Sequence, residues 1–132
     1  MPIDLRLSED GYYLIYEITE PYDLPELYEV YKQEKIYRDE KPYTMSSIVD
    51  MSGLSRIPVN WLTAKSGPGL THPRSGQILF VGLSRPVHII VDVIMKVTRY
   101  NRMKSFDTRE AAEAYMQELV AKVKAEQASK SS

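Results

Sequence analysis

The sequence predicts an α/β fold: a mixed sheet with an N-terminal hairpin and the order β-β-α-β-α-β-α-β-α. Three observations carry this. Asp4 to Leu7, the turn Ser8-Glu9-Asp10-Gly11 and the alternating run Tyr12 to Thr19 read as a hairpin. Gln77 to Leu83 (QILFVGL) is almost wholly apolar, as an interior strand covered on both faces must be. Segments with helical period and capping signals separate the later strands, so helices must cover the sheet.

The elements follow in order. In the hairpin's second arm Tyr13, Ile15 and Glu17 share one face, and Leu14, Tyr16 and Ile18 the other. Asp23-Leu24-Pro25-Glu26 opens a helix. Asp23 is placed to accept from free backbone N–H groups, Glu26 closes a capping box, and proline needs no donor in a first turn. Leu24, Leu27, Tyr28 and Tyr31 mark its apolar face, with Glu29, Lys32 and Gln33 opposite and Lys41-Pro42 ending it. Tyr43 to Asp50 reads as a strand with Ile48 and Val49 buried, and Pro58 to Lys65 as a short helix packing through Val59, Trp61, Leu62 and Ala64. Ser66 to Gly76 is a loop rich in Gly, Pro and Ser.

Arg85 to Tyr100 is crowded with β-branched residues, which favours a strand. Yet Val87, Ile90, Val91, Ile94 and Val97 keep helical spacing, Ser84 is placed to cap, and Pro86 suits a first turn, so the segment reads as a helix. Arg102 to Phe106 is a short strand. Asp107-Thr108-Arg109-Glu110 is a second capping box, before a helix with Ala111, Ala112, Tyr115, Leu119 and Val123 inward.

The 132 residues suit one domain, 1–124, with 125–132 as a frayed tail. The absence of cysteine excludes disulfides and thiol chemistry and fits a reducing compartment. The N-terminus lacks the basic-then-apolar pattern of a signal peptide, and no run approaches the roughly 18 apolar residues of a membrane span. The expectation is a cytoplasmic protein. Charge is uneven: residues 1–50 carry 12 acidic and 5 basic side chains, residues 51–106 carry 1 and 8. A basic middle can meet an anionic partner, but a net charge of −1 is unlike a dedicated nucleic-acid binder. The acidic first third and basic middle therefore read as neighbours, within the fold or between subunits.

The order resembles the STAS fold, named for sulphate transporters and anti-sigma-factor antagonists. IVDMSG resembles that family's central strand with its aspartate and small polar end, and QILFVGLS its next strand with a glycine-containing turn. MKSFDTREAAEAYM resembles its closing strand and final helix. The likeness spans about residues 4 to 122 and lies nearest to uncharacterised bacterial SpoIIAA-like proteins with HP-x-x-G and VG-x-S segments, here His72-Pro73-Arg74-Ser75-Gly76 and Val81-Gly82-Leu83-Ser84. In the antagonists a serine at the start of the second helix is phosphorylated. The resemblance sets Asp50-Met51-Ser52 at the strand end instead, so the switch positions fall near Ile57, Pro58, Val59 and Asn60, none with a hydroxyl.

Ser52 and Ser55 keep two readings. A phosphate on either would sit near a helix N-terminus, where negative charge is favoured; equally, serine is what tight turns use. Two histidines, His72 and His88, without spaced carboxylates make no metal motif, and no cofactor is implied. His88, Asp92 and Lys96 fall on one helical face and read as a solvated charged stripe. Arg99, Tyr100, Asn101, Arg102 and Lys104 interleave basic and aromatic residues without an RNA-binding signature.

Ile89 and Val93 lie off the main apolar face of their helix, which implies deep burial or an exposed contact for self-association. The expected function is a non-enzymatic binding or regulatory module acting on a protein partner or as a homo-oligomer, with Ser52, Ser55, Arg56, Asn60, Ser84, Arg85, Ile89 and Val93 as contact residues. The alternative is a small-ligand or lipid carrier with a pocket between helix and sheet, lined by Trp61, tyrosines and Met95.

Overall fold

The computed structural model describes residues 3–19, 23–53, 72–98 and 102–131. Five strands form one sheet: β1 (Ile3–Leu7), β2 (Tyr13–Thr19), β3 (Met45–Gly53), β4 (Ser75–Val81) and β5 (Met103–Phe106), side by side in sequence order. β1 pairs antiparallel with β2, and every later pair is parallel. The sheet is therefore mixed and begins with the expected hairpin. Gly11 turns it at φ 77°, a backbone that suits glycine, and the Tyr43 hydroxyl donates to its carbonyl.

Three helices accompany the sheet among the described residues: α1 (Leu24–Glu40), α2 (Arg85–Thr98) and α3 (Arg109–Ser131). Parallel neighbours that advance in one direction need right-handed crossovers, which put their helices on one face. Leu27 and Val30 of α1 and Val87 of α2 indeed share a core cluster with Tyr16, Ile18, Met51, Ile78 and Phe80. Ala112, Met116 and Val120 of α3 pack on the opposite face against Ile15, Ile48, Leu79 and Val81. The apolar run of β4 is thus divided between two cores, as its composition requires.

Several expectations shift in detail. The helix expected at Pro58 to Lys65 lies outside the described residues. β3 runs on to Gly53, beyond Asp50. Asp23 caps α1 as expected, accepting from the Glu26 N–H at 2.9 Å. For α3 the cap is Thr108 rather than Asp107: its hydroxyl accepts from the Ala111 N–H at 3.1 Å, and its carbonyl from Ala112. Of the face expected inward, Ala112 is buried and Tyr115 and Leu119 pack partly buried beside it, while Met116 and Val120 complete the face and Ala111 is exposed. The helix continues through Ser131 into the stretch expected to fray. That stretch is rich in helix formers, and the Tyr12 hydroxyl donates to Gln127 Oε1 at 3.2 Å while Lys124 lies over the Tyr12 ring.

Candidate functional site

The carboxyl edge of the parallel strands is where open α/β sheets usually present function. Ser52 lies here, exposed near the end of β3, beside Gly82 just past β4. Ser84 follows, and its carbonyl accepts the first α2 bond from His88 N–H at 2.9 Å. Its hydroxyl does not cap: Ser84 Oγ is buried and, among the described residues, has no partner. Arg85 is exposed at the first helical position. Ser55, Arg56 and Asn60 lie outside the described residues, as do Arg99, Tyr100 and Asn101.

Asp50 precedes Ser52 and is fully engaged. It accepts from the Ser52 N–H at 3.0 Å and from Arg109 Nη1 of α3 at 3.0 Å. Burial pushes its pKa up, but the Ser52 amide and hydroxyl and the Arg109 guanidinium outweigh that and hold it below the ordinary carboxylate value. A carboxylate so clamped orients a turn and a helix start.

The α2 helix supplies a different kind of feature. Val87 is buried and anchors it to the sheet, while Ile89 and Val93, one turn apart, are 56% and 50% exposed. They share the outer side with Arg85, His88 and Lys96, all exposed. His88 Nε2 stands 3.5 Å from Asp92 Oδ2, as the four-residue spacing leads one to expect. Two exposed β-branched side chains in a row of charges give an apolar stripe with a polar rim. The expectation for Ile89 and Val93 thus resolves to exposure.

Two polar clusters were not legible as such. Glu34 and Arg38 of α1 are both buried; Arg38 Nε donates to Glu34 Oε2 at 2.8 Å, Arg38 Nη1 to the Met45 carbonyl at 2.6 Å, and the Tyr16 hydroxyl to Glu34 Oε1. Burial first, and then the Glu34 carboxylate, push the Tyr16 hydroxyl pKa well above its ordinary value. This cluster fastens α1 to β2 and to the start of β3. The second lies at the end of α1. Arg74 Nε and Nη2 donate to the Arg38 carbonyl and Nη2 also to that of Asp39, satisfying carbonyls that a helix end leaves open. His72 Nδ1 accepts from the Arg74 N–H at 3.0 Å, so Nε2 carries the proton and donates to Asp39 Oδ1 at 2.8 Å. His72, expected to be a plain loop residue, is thus a tie between the β4 turn and α1.

Lys35 and His72, donating to Asp39, lower its pKa to about 2. The folded value lies below the unfolded one of about 3.9, so these contacts stabilise the fold fully above that pH. The contribution is lost as pH falls through about 2. Urea titrations at several pH values between these limits should show wild type losing stability faster on acidification than Asp39→Asn. Equal slopes would mean that solvent screens the cluster.

No helix among the described residues is long and apolar enough to cross a membrane. No family model matches the chain, and neither a curated protein nor a solved structure matches it.

Proposed function

We propose that the chain is a non-enzymatic binding and regulatory module, STAS-like in fold, that works by protein–protein contact through the outer stripe of α2, its first partner being a second copy of itself. The carrying observation is the exposure of Ile89 and Val93, two of the three exposed large hydrophobics among the described residues. Burying such a side chain gains about 1.5–3 kcal/mol, and a two-fold axis doubles the count. Two α2 helices crossing antiparallel about the middle of the stripe oppose their dipoles favourably and set Ile89 of one copy against Val93 of the other. A net charge of −1 adds little repulsion. A specific interface needs about 800 Å² per partner, so Ser84, Arg85 and the Ser52 edge of the sheet belong to the rim. Ser52 is the residue whose phosphorylation would put charge at that rim.

The test is light scattering across concentration on wild type and Val93→Glu. Wild type is expected to be a dimer, and the variant, which forces two carboxylates into an apolar contact, a folded monomer. A monomeric wild type, or a Val93→Glu dimer, would overturn the reading.

A further inference from the structure

At the opposite edge of the sheet lies a groove of about 610 Å³, bounded by Pro42, Tyr43, Thr44 and Arg74 on one side and by Val123, Glu126 and Gln127 of α3 on the other. Its size is that of a small-molecule site, roughly 300–1,000 Å³. Its walls are held in place. The Tyr43 ring stacks on Tyr12 with centroids 4.6 Å apart, and its hydroxyl is bonded to Gly11. Tyr12 in turn donates to Gln127, which ties the hairpin to the end of α3. Arg74 is fixed through Nε and Nη2 on the carbonyls that end α1. A guanidinium has five donors, and among the described residues none takes the Nη1 pair, which is placed to serve a ligand on that wall. Glu126 stands on the facing wall, and among the described residues no ion pair joins it to Arg74. The rest of the lining is a proline ring, a tyrosine ring and a valine, with Thr44 and Gln127 as its neutral polar members.

We infer that this groove binds a small zwitterion with an apolar body, an amino acid or a short peptide, its carboxylate on Arg74 and its ammonium toward Glu126. The charges of the groove are separated and opposite, which disfavours a simple anion or cation and rewards a molecule carrying both. Planar or branched carbon between the ends meets Tyr43, Pro42 and Val123. The site is independent of the α2 contact.

The experiment is an amide-resolved NMR titration of the full chain with glycyl-L-leucine, and with L-leucine to separate a peptide from an amino acid as the source. N-acetyl-glycyl-L-leucine lacks the ammonium and glycyl-L-leucinamide lacks the carboxylate. Saturable shifts at Thr44, Arg74, Val123 and Glu126 are expected with at least one zwitterion, and about tenfold weaker binding with each blocked form. Glu126→Gln should weaken the zwitterion about tenfold and leave the N-acetyl form unchanged. Glu126 is exposed, so the variant tests the site without disturbing the Arg74 tie to α1. No shifts at these residues with either zwitterion, equal binding of the blocked forms, or an unaltered Glu126→Gln would each overturn the assignment.

Discussion

Arg38→Ala is expected to cost about 3–5 kcal/mol, because it leaves a buried carboxylate without its counter-charge. Arg38 is 1% exposed and Glu34 2%, so water does not compensate either group. The substitution also frees the Met45 carbonyl, which Arg38 Nη1 holds at 2.6 Å at the start of β3. A domain of this size has a total stability of about 5–15 kcal/mol, so the loss is a large fraction of the whole. The pair itself is not thereby a net stabiliser. Desolvating two charges opposes their attraction, and an apolar replacement of both is often neutral or better. Hence the combined variant Tyr16→Phe, Glu34→Leu, Arg38→Met, which removes Glu34 together with the Tyr16 and Arg38 groups bonded to it, should lie much nearer wild type than Arg38→Ala. Denaturant midpoints of the two variants check this. An Arg38→Ala midpoint close to wild type would mean that the cluster is hydrated. A combined variant as unstable as Arg38→Ala would mean that the polar contacts are themselves a net gain.

That cluster also shows where sequence reading reached and where it stopped. The hairpin, the Asp23 cap, the interior strand expected at Gln77 to Leu83 and the helix over the β-branched Arg85 segment all follow from period and capping chemistry, and the structure has each of them, the strand shifted to Ser75–Val81. Period set the inner face of α1 at Leu24, Leu27, Tyr28 and Tyr31, whereas its buried residues are Leu27, Val30, Glu34 and Arg38. What period cannot supply is that the last two are a buried ion pair: Glu and Arg four apart read equally well as a solvated surface pair. Only the Tyr16 hydroxyl and the Met45 carbonyl, brought from distant strands, make burial tolerable. The groove was hidden for the same reason, since Tyr12, Arg74 and Glu126 are far apart in the chain and ordinary in type. The α3 cap was misplaced by one residue because Asp107 and Thr108 are both good caps, and the path of the chain out of β5 decides between them. Ile89 and Val93 were legible as off-face residues. Their exposure depended on what covers that side of α2.

Gly82→Ala is expected to destabilise by about 2–4 kcal/mol, through two separable causes: a left-handed backbone forced on an L-residue and overpacking against Ser52. Gly82 has φ 72°. A Cβ built there would overlap Ser52 Oγ and stand 2.8 Å from Ser52 Cα and 2.9 Å from Cβ. The hydroxyl can rotate away; the Cα is backbone and cannot move unless the ends of β3 and β4 part. Those ends carry the Asp50–Arg109 tie to α3 on one side and the start of α2 on the other. Combining Gly82→Ala with Ser52→Gly removes the overlap with Oγ and Cβ. It leaves both the crowding against the β3 backbone and the left-handed φ, so the double variant should recover only part of the loss. Thermal unfolding of wild type, the two single variants and the double variant measures the split. Full recovery would mean that the side chain of Ser52 is the whole obstacle and that the strand ends are loosely held. Partial recovery would mean that Gly82 keeps this edge closed, with Ser52 fixed against it and its hydroxyl turned toward Asp50. In that arrangement a phosphate on Ser52 would face the Asp50 carboxylate. Its repulsion would push the Ser52 edge outward, toward the rim of the proposed α2 contact, so modification there should weaken the dimer rather than strengthen it.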